Sequence, residues 1–239
     1  MVQDARHGRR RVLIVEDEVA LAGMVAAYLS RAGLDAAQVH RGDEAVERVR
    51  RDRPDVVLLD LNLPGLDGVE VARQIRTFSD CYLIMVTARV DEVDTLIGLS
   101  VGADDYVTKP FSVRELVARV EAVLRRPRTG VAARAYRAEP EWVFGDLTID
   151  SPAREVRLRG EPLALTPTER ELLITLAGRP TVALSRRQLI DEVWGERWGG
   201  DEHLVDVHVA HLRRKLGDDP ERGRYVVTVR GIGYRMGCG

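Results

Sequence analysis

Apolar and polar positions alternate along this chain in two different rhythms. Between residues 11 and 126, short Val/Ile/Leu runs (RVLIV, DVVLL, YLIMV, DYV) are separated by stretches of helical periodicity. Apolar runs of this length read as strands buried on both faces, and their alternation with helices reads as a parallel sheet. Strands are predicted near 11–15, 35–39, 55–60, 82–87 and 104–108. Helices are predicted near 19–32, 43–51, 69–76, 92–101 and 112–126. Gly33 follows the first helix as a stop, and Ser112 with Glu115 has the spacing of a capping box.

After a stretch without periodicity, PRTGVAARAYRAEP at 127–140, the rhythm changes. Residues 142–165 hold short strand-like runs (LTID, EVRLR, EPLAL). Thr166-Pro167-Thr168-Glu169 supplies an N-cap, Pro at N1 and Glu at N3, opening a helix to about Ala177. Ser185 and Gln188 open a second, ending near Trp194. A third spans His203–Leu216 and is closed by Gly217. RYVVTV and YRM then flank Arg230-Gly231-Ile232-Gly233 as a hairpin. Three helices and a hairpin outline a winged helix-turn-helix. The expected fold class is α/β: a five-stranded doubly wound parallel sheet of flavodoxin-like type, with a second, smaller α+β domain. The expected organisation is a disordered extension at 1–10, a first domain at 11–126, a linker at 127–140 and a second domain at 141–239.

Composition narrows the class. The chain has 239 residues, is 45% hydrophobic and 31% charged, and carries a formal net charge of −2, as an ordinary globular protein does. The start, MVQDARHGRRR, lacks the apolar core of a signal peptide, and no stretch approaches a membrane span. Cys81 and Cys238 lie far apart and read as free thiols of a reducing cytoplasm. Lysine occurs only at 109 and 215 among 36 basic residues, which makes Lys109 informative, because a compact ammonium stands where guanidinium is the habit.

Ligands of a doubly wound sheet gather beyond the carboxyl ends of its strands. The predicted strands end in Glu16-Asp17, Asp60, Thr87 and Thr108-Lys109, bringing three carboxylates, a hydroxyl and an ammonium to one edge. Two carboxylates about 4 Å apart repel by about 4 kcal/mol at an effective dielectric near 20. One ammonium does not neutralise three, so the edge either binds protons or holds a divalent cation. Oxygen ligands suit Mg²⁺, with the Asn62 carbonyl as a further ligand. A carboxylate beside Mg²⁺ and Lys109 can act as a nucleophile toward phosphorus, with Thr87 hydrogen-bonding the product phosphate.

The series VEDE, LLDLNLPGLDG, VTA and GADDYVTKPF resembles the receiver domain of bacterial two-component response regulators. LTPTERELL, VDVHVAHLRRKLG and VRGIGYR resemble the winged-helix effector of the OmpR/PhoB subfamily. The resemblance implies that Asp60 accepts phosphate from a sensor histidine kinase. It implies that Asp17 and Asp60 ligate Mg²⁺ directly while Glu16 acts through water. Thr87 and Tyr106 would form a switch pair, Tyr106 turning inward once Thr87 engages the phosphate. Phosphorylation would then promote homodimerisation and sequence-specific binding to promoter DNA, so the protein is a regulator rather than an enzyme.

On the third helix of the second half, Val205, Val209, Leu212 and Leu216 are spaced as a buried stripe. Val207, Ala210, His211 and Arg214 are assigned to the major groove, and His208 and Arg213 to flanking phosphates. Thr228 and Arg230 belong to the hairpin, with Arg230 aimed at the minor groove. Bulk charge does not support DNA binding: residues 141–239 hold 15 basic and 16 acidic side chains, and only 208–239, with 7 basic and 3 acidic, turn positive. The segment Trp194–Glu202 reads either as exposed and aromatic, where the resemblance implies contact with RNA polymerase, or as a connector with its tryptophans anchored in the core. The dimer face is expected on the fourth helix, last strand and fifth helix of the first half, through Asp104, Asp105, Arg114, Glu115, Arg119 and Arg126. A charged hydrogen bond at Thr87 contributes roughly 1.5–3 kcal/mol, a ten- to hundredfold shift. Two alternatives stand beside this reading: a phosphohydrolase using Asp60 as nucleophile, which lacks a substrate cap and an Asp-x-Asp motif, and a DNA-binding protein with a vestigial receiver.

Overall fold

The computed structural model describes residues 9–87, 102–125, 141–196 and 198–239. The chain divides into two compact units, 1–126 and 127–239. In the first, β1 (Arg11–Val15), α1 (Val19–Arg31), β2 (Asp35–Val39), α2 (Gly42–Asp52), β3 (Val56–Asp60), α3 (Gly68–Arg76), β4 (Tyr82–Thr87), β5 (Asp105–Thr108) and α4 (Val113–Leu124) follow in order. The five strands are parallel and ordered β2-β1-β3-β4-β5. This is the doubly wound sheet expected. The helix expected at 92–101 lies outside the described residues, as does most of the segments expected at 1–10 and 127–140. Arg10 is already tied down: its carbonyl accepts from the Asp35 amide at 2.9 Å and its guanidinium pairs with Asp55 at 3.1 Å.

Successive strand residues point to opposite faces, so each continuous apolar strand feeds two cores. Leu13, Val15, Val57, Leu59, Leu83 and Met85 pack with α2 and α3. Val12, Ile14, Val56, Leu58, Ile84 and Val86 pack with α1 and α4. The N-terminus of α3 is closed by Asp67, whose carboxylate accepts from the Glu70 amide at 3.0 Å. Ser112 sits at the N-cap of α4 without a side-chain bond. The expected capping box is not formed, because Glu115 turns to Arg119 instead, at 2.8 Å.

The second unit begins with an antiparallel sheet, β6 (Trp142–Phe144), β7 (Leu147–Asp150), β8 (Glu155–Leu158) and β9 (Glu161–Pro162). Three helices follow: α5 (Pro167–Ala177), α6 (Arg186–Val193) and α7 (His203–Leu216). A second sheet has the order β10-β12-β11, from β10 (Leu184–Ser185), β11 (Val226–Val229) and β12 (Gly233–Met236). Both predicted capping boxes of this unit form: Thr166 with Glu169 and Ser185 with Gln188. Gly217 closes α7 in the left-handed conformation, φ 63°. β10 lies against β12 because Gly233 has no side chain; a Cβ there would stand 2.1 Å from the Leu184 carbonyl oxygen. No helix among the described residues is long and apolar enough to cross a membrane.

Candidate functional site

The strand order reverses between β1 and β3, and that switch point is where a doubly wound sheet opens a crevice. Glu16 follows β1, Asp60 ends β3, Thr87 ends β4 and Lys109 follows β5. The Lys109 ammonium donates to Asp60 Oδ2 at 2.6 Å and to Glu16 Oε1 and Oε2 at 3.0 and 2.9 Å. The Asn62 amide donates to Asp60 Oδ1 at 3.0 Å. Glu16 and Asp60 are 5% and 4% exposed, whereas Asp17 is open to solvent. The Lys109 amide donates to the Thr87 carbonyl at 2.6 Å, fixing the β4 and β5 ends side by side.

Charge is crowded here. Burial, with the neighbouring Asp60, pushes the Glu16 carboxyl up to about 6 against the pull of Lys109. Burial works against the Lys109 ammonium, but hydrogen bonds to Asp60 and Glu16 outweigh it and hold its pKa above the ordinary value. Among the described residues, Glu16, Asp17 and Asp60 are the group able to offer three ligand atoms within 4.8 Å of one another. Oxygen donors this close are compatible with a hard divalent cation.

Gly68 is a residue of this site that pattern reading missed. A Cβ on it would stand 2.2 Å from the Asp60 carbonyl oxygen, so glycine lets the N-terminus of α3 close under the β3 loop. Its signal was present in the LDG of LLDLNLPGLDG.

Thr87 is buried, and Tyr106 is half-buried against the α2–α3 core. The expected dimer face is altered. Asp104 is buried and receives the Arg76 guanidinium at 2.6 Å and the Leu83 amide at 2.9 Å. Asp105 and Arg119 are also buried, paired at 3.2 Å. These three are consumed within the chain and are not open surface charges. Arg114 and Glu115 are exposed, and Arg126 lies outside the described residues.

In the second unit Val205, Val209, Leu212 and Leu216 are buried as their spacing implies. Ala210, Arg214, Thr228 and Arg230 are exposed, and Val207 is nearly covered. His208, His211 and Arg213 are corrections. His208, 1% exposed, has its ring 5.4 Å from that of Trp194 and 6.2 Å from that of His211. His211, 2% exposed, faces Glu169, whose carboxylate also receives Lys215 at 2.6 Å. Arg213 donates to the Val226 carbonyl at 2.7 Å and to Thr228 Oγ1 at 2.7 Å. Most of α7 is buried, and polar side chains on it turn inward with the apolar ones. Trp194 and Trp198 are buried as well, which favours the connector with core-anchored tryptophans over the exposed aromatic segment.

The exposed stripe of α7 is therefore His203, Ala210 and Arg214, with the partly exposed Asp206 between them. Asp206 Oδ1 accepts from Tyr234 Oη at 2.6 Å and from Arg186 Nε at 2.8 Å. Burial and the hydrogen bond to Asp206 push the Tyr234 phenol up to about 12. None of these three residues stood out in the sequence.

Comparison with known proteins agrees with both halves. Residues 12–121 match the response regulator receiver domain, and 160–236 match the family described as transcriptional regulatory protein, C terminal. The chain is 45% identical over 229 residues to the DNA-binding response regulator MtrA of Mycolicibacterium smegmatis, covering 96% of this chain and 97% of that one. It is 46% identical over 231 residues to the transcriptional regulatory protein CseB of Streptomyces coelicolor, covering 94% and 97%. Among solved structures, a mutant of RitR is similar with a TM-score of 0.75 and 28% identity, covering 96% of this chain and all of that one. A doubly wound sheet with an acidic edge, carried in one chain with a winged helix-turn-helix, defines a DNA-binding response regulator. The chain belongs to the OmpR/PhoB family of two-component response regulators, and it regulates transcription.

Proposed function

We propose that Asp60 is the phosphoryl acceptor and that its phosphorylation by a sensor histidine kinase controls promoter binding. The observation that carries this is the Lys109 ammonium held between Asp60 and Glu16 at 2.6–3.0 Å, beside Asp17. Mg²⁺, bound by Asp17, Asp60 and the Asn62 carbonyl with Glu16 acting through water, would neutralise phosphoryl oxygens. Asp60 supplies the attacking oxygen: a P–O bond to its carboxylate forms as the P–N bond of the kinase phosphohistidine breaks. Lys109 then leaves Asp60 for the new phosphoryl group. Thr87 donates its hydroxyl to the same group, and Tyr106 moves into the space that Thr87 vacates. Hydrolysis of the acyl phosphate at the same residues resets the switch.

Phosphorylated receivers pair as a homodimer, which sets two winged helices on adjacent half-sites of double-stranded DNA. Ala210 and Arg214 of α7 enter the major groove with the edge of Val207, and Arg230 on the wing enters the minor groove. Contact with RNA polymerase through Trp194–Glu202 falls, among the described residues, to the exposed Glu196, Gly199 and Asp201, because both tryptophans are buried. The protein acts where promoter DNA is, in the cytoplasm.

The acceptor assignment is tested by incubating Asp60→Asn with acetyl phosphate and Mg²⁺. Wild type gains one phosphoryl group by intact mass and the variant gains none. Equal labelling of the variant refutes the assignment.

A further inference from the structure

We propose that Asp206 is a positioning residue for DNA reading, holding the wing and the start of α6 to the recognition helix and trading non-specific affinity for sequence discrimination. This rests on the reading that α7 and the wing face DNA. Asp206 shares the exposed stripe of α7 with His203, Ala210 and Arg214, and its side chain is 27% exposed. An anion in that place repels the phosphate backbone, which supplies most non-specific affinity. Its surroundings account for its presence. One carboxylate gathers groups from three elements: Tyr234 Oη of β12 at 2.6 Å, Arg186 Nε of α6 at 2.8 Å, and His203 Nδ1 one turn back on α7 at 3.2 Å. The Arg186 guanidinium also lies 5.3 Å from the Tyr234 ring centroid.

Seven residues further along α7, Arg213 grips the other strand of the wing. It donates to the Val226 carbonyl at 2.7 and 3.1 Å and to Thr228 Oγ1 at 2.7 Å. Seven residues of helix span about 10 Å. The hairpin is thus fastened, one strand each, to two α7 residues about 10 Å apart along the helix; on the hairpin the anchors meet at the cross-strand pair Thr228 and Tyr234, with the Arg213 guanidinium 5.7 Å from the Tyr234 ring centroid. One fastening would let the hairpin pivot; two set its tilt, and with it the reach of Arg230 at the tip. The Asp206 carboxylate also directs Arg186 along the α7 face.

The test uses the full-length chain, a duplex selected by the wild type from a random-sequence pool, and a scrambled duplex of equal length. Tyr234→Phe keeps the ring and loses only the hydroxyl. Its affinity for the selected duplex should fall on the order of tenfold, with binding to the scrambled duplex unchanged. Asp206→Asn removes the anion: scrambled-duplex binding should tighten severalfold at low salt while the ratio of selected to scrambled affinity drops at least tenfold. A purely structural role would weaken both duplexes together in step with a lower Tm, and that outcome overturns the inference. Arg214→Ala and Arg230→Ala serve as controls for the face itself. If they weaken binding while both test variants keep the wild-type ratio, the positioning role alone fails. If they too leave binding unchanged, the DNA-facing assignment of α7 and the wing fails with it.

Discussion

Replacing Lys109 by methionine isolates the electrostatics of the acidic edge. The ammonium stands 2.6 Å from Asp60 and 2.9 Å from Glu16, side chains only 5% and 6% exposed. At an effective dielectric near 20, two carboxylates separated by up to 4.8 Å repel by about 3.5 kcal/mol. Removing one partner of a buried pair destabilises by about 3–5 kcal/mol. Methionine fills similar volume, so a loss of about 3 kcal/mol is expected at pH 8. Proton binding limits the loss at lower pH. The Glu16 carboxyl is raised from 4.5 to about 6 by burial and the neighbouring Asp60. A raised acid favours the fold in its protonated form, so its contribution is full below about 4.5 and is lost as pH climbs through about 6. The shift of about 1.5 units corresponds to about 2 kcal/mol. Lys109 is raised as well, so its contribution holds throughout this range and fades only above its folded value. Calorimetry of the full-length chain should show the receiver transition of Lys109→Met lowered by roughly 10 °C at pH 8. The deficit should be about half as large at pH 5, and millimolar Mg²⁺ at pH 8 should recover most of it, since a dication replaces the missing charge. A deficit equal at both pH values and indifferent to Mg²⁺ would refute charge neutralisation as the role of Lys109.

Gly68→Ala places a methyl group 2.2 Å from the Asp60 carbonyl oxygen. It should slow acetyl phosphate labelling at least tenfold through displacement of the β3 loop, as read by the rate of mass gain; wild-type kinetics would show that α3 can yield there. Arg230→Ala should weaken binding to a selected duplex by about 1–3 kcal/mol if its contact is to bases, or reduce the salt slope of log K by about one if it is to phosphate. A gel-shift titration at three salt concentrations distinguishes these, and unchanged affinity at every salt would remove the wing tip from the interface.

The receiver edge was legible because its chemistry lies at the ends of continuous apolar runs. Parallel strands all end at the same edge of their sheet, so the residues that close these runs, Glu16, Asp60, Thr87 and Lys109, fall at its carboxyl edge whatever the helices do. Helix α7 was half legible. The 4-3-4 spacing of Val205, Val209, Leu212 and Leu216 marks one buried stripe, but it says nothing of what packs on the other sides. Trp194, at the end of α6 and itself stacked near Trp198, packs on His208, and Glu169 of α5 meets His211. These are long-range contacts, and a histidine in a local pattern reads simply as polar. β6 and β10 are too short to show periodicity; β10 exists because Gly233 lets two backbones approach. Asp104 and Asp105 read as surface charges because their partners, Arg76 and Arg119, are remote in sequence.

That last correction changes how receiver pairing can work. Arg119 already holds Asp105 at 3.2 Å and Glu115 at 2.8 Å within the chain, and Arg76 holds Asp104. A dimer formed through β5 and α4 could re-pair these groups across the two-fold axis only by breaking the pairs already made. Exchange of like for like leaves little net energy, and exposed pairs such as those open to Arg114 contribute about 0–1 kcal/mol each. In such a dimer the charges of this face would set register and exclude wrong partners, while association energy would have to come from other surface. Under the proposed mechanism a switch of one to two powers of ten at Thr87 would then suffice, because Asp104, Asp105 and Glu115 are already paired within the chain and would gain little electrostatically from early dimerisation.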